Sequence, residues 1–313
     1  KEAKKQKLVY KNISNSIEAP HFVLYIKDLL EEKYGDKFTK EGGLRITTTL
    51  DSKIQEFAEL AVASEVAKLK FARVSNGAAV VTDPGNGDIL ALVGSKDYFD
   101  SSIDGNVNIA LAHRQPGSSI KPINYAVGLL NGYSAATVFV DKEICFPNQG
   151  GKSYCPRNYD GKFHGVVSLR ESLASSLNIP AVKMLKLNTV ENMIATASAM
   201  GISTFTDANR YGLSLTLGGG EVTMLDMSTA FGVFANKGYR VDLNPVLEVK
   251  DSRGKVLEKK RDQSPIFGEK VLPEEVTFII SDILSDNQAR SLAFVTNSVL
   301  VIPGQSVSVK TGT

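Results

Sequence analysis

Two adjacent serines stand just ahead of a lysine in RQPGSSIKPINYAVGLLNG, residues 114–132. Ser118 and Lys121 are separated by ~4.5 Å of helical rise, less than one turn, so their side chains share a face. Gly117 permits a sharp turn before the serine, and Pro122 is tolerated only in the first turn of a helix. Ser118 is therefore expected at a helix start, where free N–H groups would stabilise an oxyanion. A serine becomes a nucleophile only beside a base. A lysine with an ordinary pKa of about 10.4 serves as one only if burial and a second cation drive its proton off. Ser119 has Pro122 in the same register, which leaves Ser118. A second Ser-x-x-Lys, Ser252 to Lys255, is broken by Gly254 between two β-rich runs and reads as a solvated turn.

The second cation that Lys121 requires is found in Lys310-Thr311-Gly312-Thr313, at the end of SVSVKTGT. Two Ser-x-Asn elements lie between the lysines. Ser285-Asp286-Asn287 is at the tail of one helical stretch, and Ser176-Leu177-Asn178 is at the head of another. Either could add a hydroxyl and an amide.

Other residue types offer less. His21, His113 and His164 are isolated, without metal-ligand spacing. His113 lies close before Ser118, but no third group would orient it. LGGGE at 217–221 lacks the Lys-Ser/Thr of a phosphate loop and reads as a turn or a close backbone approach. Cys145 and Cys155 have no second Cys/His pair, which argues against zinc. A local disulfide or two free thiols both fit, depending on the compartment. No metal or cofactor is expected.

The elements that must position these groups are partly legible. Residues 1–16 read as a mobile polar arm. APHFVLYIKDLLEEKYG reads as a helix with Phe22, Ile26, Leu29 and Leu30 on one face, started at Pro20 and stopped at Gly35. GGLRITTTL is β-rich. Asp51 is the expected N-cap of a helix whose Ile54, Phe57, Ala58, Ala61 and Val62 keep helical period. A hairpin turning at Pro84-Gly85 follows, then a middle, to about residue 237, of helices and loops. Within it Thr223 and Asp226 suit a capping box and Gly238 a helix stop. Strands flanking a turn at 252–254, a helix over PEEVTFIISDILSDN and a closing strand at 306–313 complete an α+β order. A net charge of +2 on 313 residues gives no reason to expect nucleic acid or an anionic membrane as a partner. No apolar run reaches the ~20 residues of a membrane span.

Ser-x-x-Lys, Ser-x-Asn and Lys-Thr-Gly in that order resemble the three motifs of the penicillin-recognising serine enzymes. GGLRITTTLD, GAAVVTDPGNGDILALVG, RQPGSSIKPI, SLASSLNIPAV and LTLGGGEVTMLDMSTAFGVFANKGYRV are similar to the transpeptidase region of class A penicillin-binding proteins. The resemblance runs from about residue 18 to the end and favours Ser176 over Ser285. It implies the penicillin-binding transpeptidase and serine β-lactamase-like fold, an antiparallel sheet with a helical subdomain. Residues 1–74 would form a linker module and 75–313 the transpeptidase domain. It implies Ser118 as nucleophile, Lys121 as base, Ser176 as proton relay and Lys310 as positive charge. Asn178, Thr311, Gly312 and Thr313 would bind substrate, with an oxyanion hole from the N–H groups of Ser118 and Thr313. The implied reaction is peptidoglycan D,D-transpeptidation, with stem peptides as donor and acceptor and β-lactams as acylating inhibitors. It would take place on the extracytoplasmic face of a bacterial membrane, with the anchor and any glycosyltransferase domain outside this sequence.

In that family the Lys-Thr-Gly strand is an edge strand, and further strands follow it in sequence. The sheet is thus expected to be incomplete at the C-terminus, with a second polypeptide as one way of completing it. A penicillin-binding sensor, an inactive fragment, a serine β-lactamase and a D,D-carboxypeptidase are the competing readings.

Overall fold

The computed structural model describes residues 17–147, 151–260 and 268–313. The arm read at residues 1–16 lies outside them, as does Gly150 of the cysteine loop. Helix α1 (Pro20–Tyr34) starts on Pro20, whose fixed φ suits a first turn, and ends where the Gly35 N–H donates to Glu31 O at a φ of 85°. It buries His21, Phe22, Ile26 and Leu30, and Leu29 is only partly covered. Helix α2 (Asp36–Glu41) and strand β1 (Arg45–Thr48) follow.

The Asp51 carboxylate caps helix α3 (Ser52–Lys68), accepting from the N–H groups of Lys53 and Ile54 at 2.9 and 3.1 Å. The helix is rotated from the expected face. Gln55, Val62 and Val66 are buried, whereas Phe57 is 73% exposed. The hairpin β2 (Ala79–Asp83) and β3 (Asp88–Val93) explains the rotation. The Leu92 N–H donates to Gln55 Oε1 at 2.8 Å, and Gln55 Nε2 donates to Leu92 O at 3.2 Å. One amide thus satisfies a backbone pair at the hairpin edge. That requirement outweighs the position of Phe57, because a buried unpaired N–H or C=O costs about 1–3 kcal/mol.

The middle of the chain forms a helical body. Helix α4 (Lys121–Leu130) runs through it, with every residue from Lys121 to Leu129 buried. Around it pack α5 (Leu169–Ala174), α6 (Asn178–Asn188), α7 (Val190–Ala199) and α9 (Glu274–Ser285), with α8 (Met224–Ala235) against α9. Asn124 locks the centre. Its Nδ2 donates to Ala181 O at 2.9 Å and to Thr216 Oγ1 at 2.8 Å, and its Oδ1 accepts from Asn188 Nδ2 at 2.9 Å. Thr223 caps α8 by accepting from the Asp226 N–H, but the Asp226 carboxylate turns to Ser203 instead of closing a capping box.

The helices-and-loops reading of the middle missed a second hairpin, β4 (Val138–Asp141) with β5 (Gly165–Ser168). Four-residue strands so far apart in sequence carry little periodic signal. Strands β6 (Tyr239–Arg240) and β9 (Glu269–Lys270) pair with each other. Strands β7 (Val246–Lys250) and β8 (Val256–Lys259) join β1 in the order β1-β7-β8, turning at 252–254. A smaller core of Phe22, Ile26 and Leu30 against Ile89, Leu92, Val246 and Val249 ties α1 to β3 and β7.

The closing segment 306–313 corrects the sequence reading. It joins no strand ladder among the described residues, and β2–β3 stands as a two-stranded sheet. The segment is held by α9, where the Val309 N–H donates to Leu284 O at 3.0 Å and Ser308 Oγ donates to Ser281 O at 2.7 Å. The Leu284 carbonyl belongs to the last turn of α9 and lacks an intrahelical donor. Alternating apolar residues describe a backbone able to pair, and here the partner is a helix end.

Cys145 and Cys155 form a disulfide, with Cα atoms 4.2 Å apart. It closes the turn beside mutual 2.8 Å hydrogen bonds between Phe146 and Tyr154. Closing so short a loop restricts the unfolded chain by about 2–3 kcal/mol. The Cys145→Ser/Cys155→Ser variant should lose that much stability in a denaturant melt, and added reductant should do the same to the native protein. An unchanged midpoint would show that the Phe146–Tyr154 pair holds the loop unaided.

Candidate active site

Three backbones meet around Ser118. The residue lies in a 3-10 turn, Gly117–Ile120, that runs directly into α4, and the Lys121 N–H donates to Ser118 O. Gly117 has a φ of +56° and Gly218 a φ of +92°. A Cβ on Gly218 would come within 2.3 Å of Gly117 N, and one on Gly117 within 2.2 Å of Thr313 O. Gly312 is also tight, since a Cβ there would stand 2.8 Å from Pro116 O. The glycines of LGGGE therefore serve close packing, and the Lys-Thr-Gly-Thr segment crosses the serine turn backbone to backbone.

Lys121 is completely buried and surrounded by oxygen. Its Nζ donates to Ser176 O at 2.6 Å, Leu177 O at 3.2 Å and Asn178 Oδ1 at 2.6 Å, and lies 3.4 Å from Ser176 Oγ. The turn offering these groups links α5 to α6. The Ser168–Glu171 capping box starts α5, and the Ser176 N–H donates back to Leu173 O at its end. Ser176 then adopts a φ of +57°, unusual for a residue with a Cβ, which swings its carbonyl and hydroxyl toward Lys121. Lys310 approaches from the other side. Its Nζ donates to Ser176 Oγ at 2.7 Å and to Thr311 O at 2.7 Å. Ser118 Oγ makes none of the described hydrogen bonds; the Lys121 amine points to the Ser176 turn.

Both lysines sit below their ordinary range. Burial, and then the charge of Lys310, holds the Lys121 amine well below it. Burial alone pushes Lys310 down to about 7. Among the described residues no carboxylate pairs with either, and the oxygens that accept from them are neutral.

The structure thus gathers Ser118, Lys121, Ser176, Asn178, Lys310, Thr311, Gly312 and Thr313 around one point. The side chains of Thr311, partly buried, and Thr313, exposed, make none of the described hydrogen bonds. Ser285 is elsewhere, with its hydroxyl donating to Asp282 O at 2.9 Å within α9. Ser252 is a surface turn residue. His113 is exposed, His21 Nε2 pairs with Ser95 Oγ at 2.8 Å, and His164 Nε2 lies 3.1 Å from Asp160. Two residues that the sequence did not single out do touch the site. Arg157 O accepts from Asn178 Nδ2 at 2.7 Å, and Asn158 Oδ1 accepts from the Asn178 N–H at 2.8 Å. Nothing in the spacing announces them, because the intervening loop carries no periodicity.

Residues 77–313 match the family model of the penicillin-binding protein transpeptidase domain. The chain is 32% identical over 254 residues to penicillin-binding protein 1B of Vibrio cholerae, covering 80% of this chain and 32% of that one. It is 30% identical over 290 residues to penicillin-binding protein 2D of Bacillus subtilis, covering 90% and 40%. The chain therefore spans about a third of the length of these relatives. In fold it is similar to penicillin-binding protein 1A of Haemophilus influenzae, with a TM-score of 0.75 at 19% identity over 86% of this chain and 58% of that one. It is also similar to penicillin-binding protein A of Mycobacterium tuberculosis in an imipenem acyl-enzyme complex, with a TM-score of 0.71 at 19% identity, covering 92% and 72%. The α+β architecture is accordingly the penicillin-binding transpeptidase fold, and the chain belongs to the penicillin-binding protein transpeptidase family, as a class A transpeptidase region.

Proposed function

We propose that this chain carries the acyl-transfer site of a peptidoglycan D,D-transpeptidase acting on the extracytoplasmic side of a bacterial membrane. Residues 75–313 form the catalytic domain, and 1–74 form a module leading into it. One observation carries the reading: the Ser176 hydroxyl stands between two buried lysine amines, 3.4 Å from Lys121 Nζ and 2.7 Å from Lys310 Nζ, which have no carboxylate partner among the described residues.

The amine of Lys121, whose hold on its proton is weakened by burial and then by the charge of Lys310, takes the proton of Ser118 once a bound donor brings the hydroxyl within reach. Catalytic hydrogen bonds of this kind are often long before substrate binds. Ser118 Oγ then bonds to the carbonyl carbon of the penultimate D-alanine, and the oxyanion is stabilised by the N–H groups of Ser118 and Thr313. Ser176 Oγ accepts from Lys310, so its own proton is free to go to the departing amine. Lys121 returns a proton to Ser176 across the 3.4 Å gap. The peptide bond breaks, D-alanine leaves, and the acyl-enzyme is resolved by the amine of a neighbouring stem peptide. Asn178 holds the donor's amide, and Lys310 with Thr311 and Thr313 holds its carboxylate. A β-lactam follows the same first step, but its leaving amine stays tethered.

In the full-length protein, Ser118→Ala should abolish covalent labelling by a fluorescent penicillin, with Ser119→Ala and Ser252→Ala labelling normally. Label retained at full stoichiometry in Ser118→Ala would refute the assignment. Loss of the relay should be graded: Ser176→Ala is expected to slow acylation by about 10²–10⁴-fold. Ser285→Ala should leave the rate unchanged, and the reverse ranking would transfer the role to the other Ser-x-Asn.

The pH dependence follows from the signs of the two shifts. Lys121 must be unprotonated, so acylation should fall toward acid. Lys310 must be charged to hold the carboxylate. With its pKa lowered to about 7, the second-order acylation constant should also fall as pH rises through that value. Lys310→Arg stays charged and should lose the alkaline decline. A wild-type profile flat from pH 6 to 9 would contradict the role given to Lys310.

A further inference from the structure

Helix α6 begins without a cap of its own. Its N-cap is Leu177, which has no side-chain acceptor, and the preceding Ser176 hydroxyl is committed to the lysines. The first N–H groups of a helix need acceptors from elsewhere. Asn158 supplies one from 20 residues upstream: its Oδ1 accepts from the Asn178 N–H at 2.8 Å and lies 3.4 Å from the Ile179 N–H.

Asn158 is itself fixed. Its Nδ2 donates to Asp141 Oδ2 at 2.7 Å and to Lys162 O at 2.9 Å. Asp141, on β4, is completely buried and Asn158 is 5% exposed. The same Asp141 oxygen also accepts from the His164 N–H at 2.9 Å. Neighbouring Arg157 O takes the Asn178 amide at 2.7 Å, leaving Asn178 Oδ1 for Lys121. The Asn178 side chain is thereby oriented at both ends, and its backbone is held at a third point. The polypeptide that does this emerges directly from the Cys145–Cys155 loop.

We infer that Asn158, anchored on Asp141, is a positioning residue that sets the orientation of Asn178 and so governs how the site holds a substrate amide. This rests on the acyl-transfer reading above. Asn158 touches no reacting atom. A purely structural role would weaken the fold and slow all substrates alike, whereas a positioning role falls on substrates whose amide Asn178 would hold.

The test compares acylation of the full-length protein by benzylpenicillin, which carries a side-chain amide, and by 6-aminopenicillanic acid, which lacks one. In Asn158→Ala the ratio of the two acylation constants should fall about 5- to 10-fold, the worth of one hydrogen bond. Asn178→Ala should lower the ratio at least as much, and adding Asn158→Ala to it should lower the ratio no further, because both act through one contact. If Asn158→Ala does not fold, Asp141→Ala releases the same clamp from its far side and is read by the same ratio. A ratio that shifts in Asn178→Ala but not in Asn158→Ala or Asp141→Ala overturns this inference alone. A ratio unmoved by Asn178→Ala overturns it together with the proposed role of Asn178.

Discussion

A buried amine is driven toward its neutral form where no opposite charge offsets the desolvation of its ammonium, and the site is organised around that constraint. A carboxylate beside Lys121 would satisfy its N–H groups and also hold its proton. Main-chain and amide oxygens from Ser176, Leu177 and Asn178 satisfy the N–H groups with dipoles, a much weaker pull on a charge. Lys310 adds a like charge across a shared hydroxyl. Aiming two successive carbonyls at one amine requires the positive φ of Ser176, a strain of about 1–3 kcal/mol in a residue that is not glycine. Glycine would relieve the strain but remove the hydroxyl that separates the two lysines.

The surroundings withstand this because the lysine is carried by a helix buried from Lys121 to Leu129. Tyr125, Ile123 and Ile120 near it are fully covered, each isoleucine contributing about 1.5–3 kcal/mol. Asn124 fixes α4 to α6 and to the turn at Thr216, so the serine turn and the Ser176 turn move as one body. The contact of Gly117 with Gly218 and Thr313 then sets the height at which the last segment crosses. Any Cβ at Gly117 or Gly218 would lift that segment, and with it Lys310.

What could be seen in the sequence was what is local. The Ser118–Lys121 spacing, the Pro122 limit and the Asp51 and Thr223 caps depend on residues within a turn of one another. Choosing Ser176 over Ser285 needed the flanking text, since by letters Ser285-Asp286-Asn287 is the better match. What was not legible is tertiary. Phe57 faces outward because Gln55 is required at a strand edge, a demand set by residues near 92. Asn158 and Arg157 reach Asn178 from the far end of a disulfide-closed loop. The β4–β5 pair joins two short runs on either side of that loop. The segment at 306–313 has the alternation of a strand, but alternation says nothing about what supplies the partner.

That last segment shows how a distance can be fixed without a sheet. Ser176 depends on α5, and Lys310 follows Val309, which is bonded to the end of α9. Arg170, at the start of α5, forks onto Asp282 and Asp286 of α9 and its C-cap, at 2.5 and 2.9 Å. Ser175 Oγ donates to Ala289 O at 2.9 Å just beyond α9, and Arg290 Nη2 donates at 2.6 Å to the same Leu284 carbonyl that receives Val309. The Arg170 pairs are partly exposed and add little to stability. Their effect is geometric: a planar guanidinium bonded to two carboxylates permits little sliding between α5 and α9. The 2.7 Å separation between Lys310 Nζ and Ser176 Oγ is therefore set by the packing of two helices, one feeding the hydroxyl and the other the ammonium.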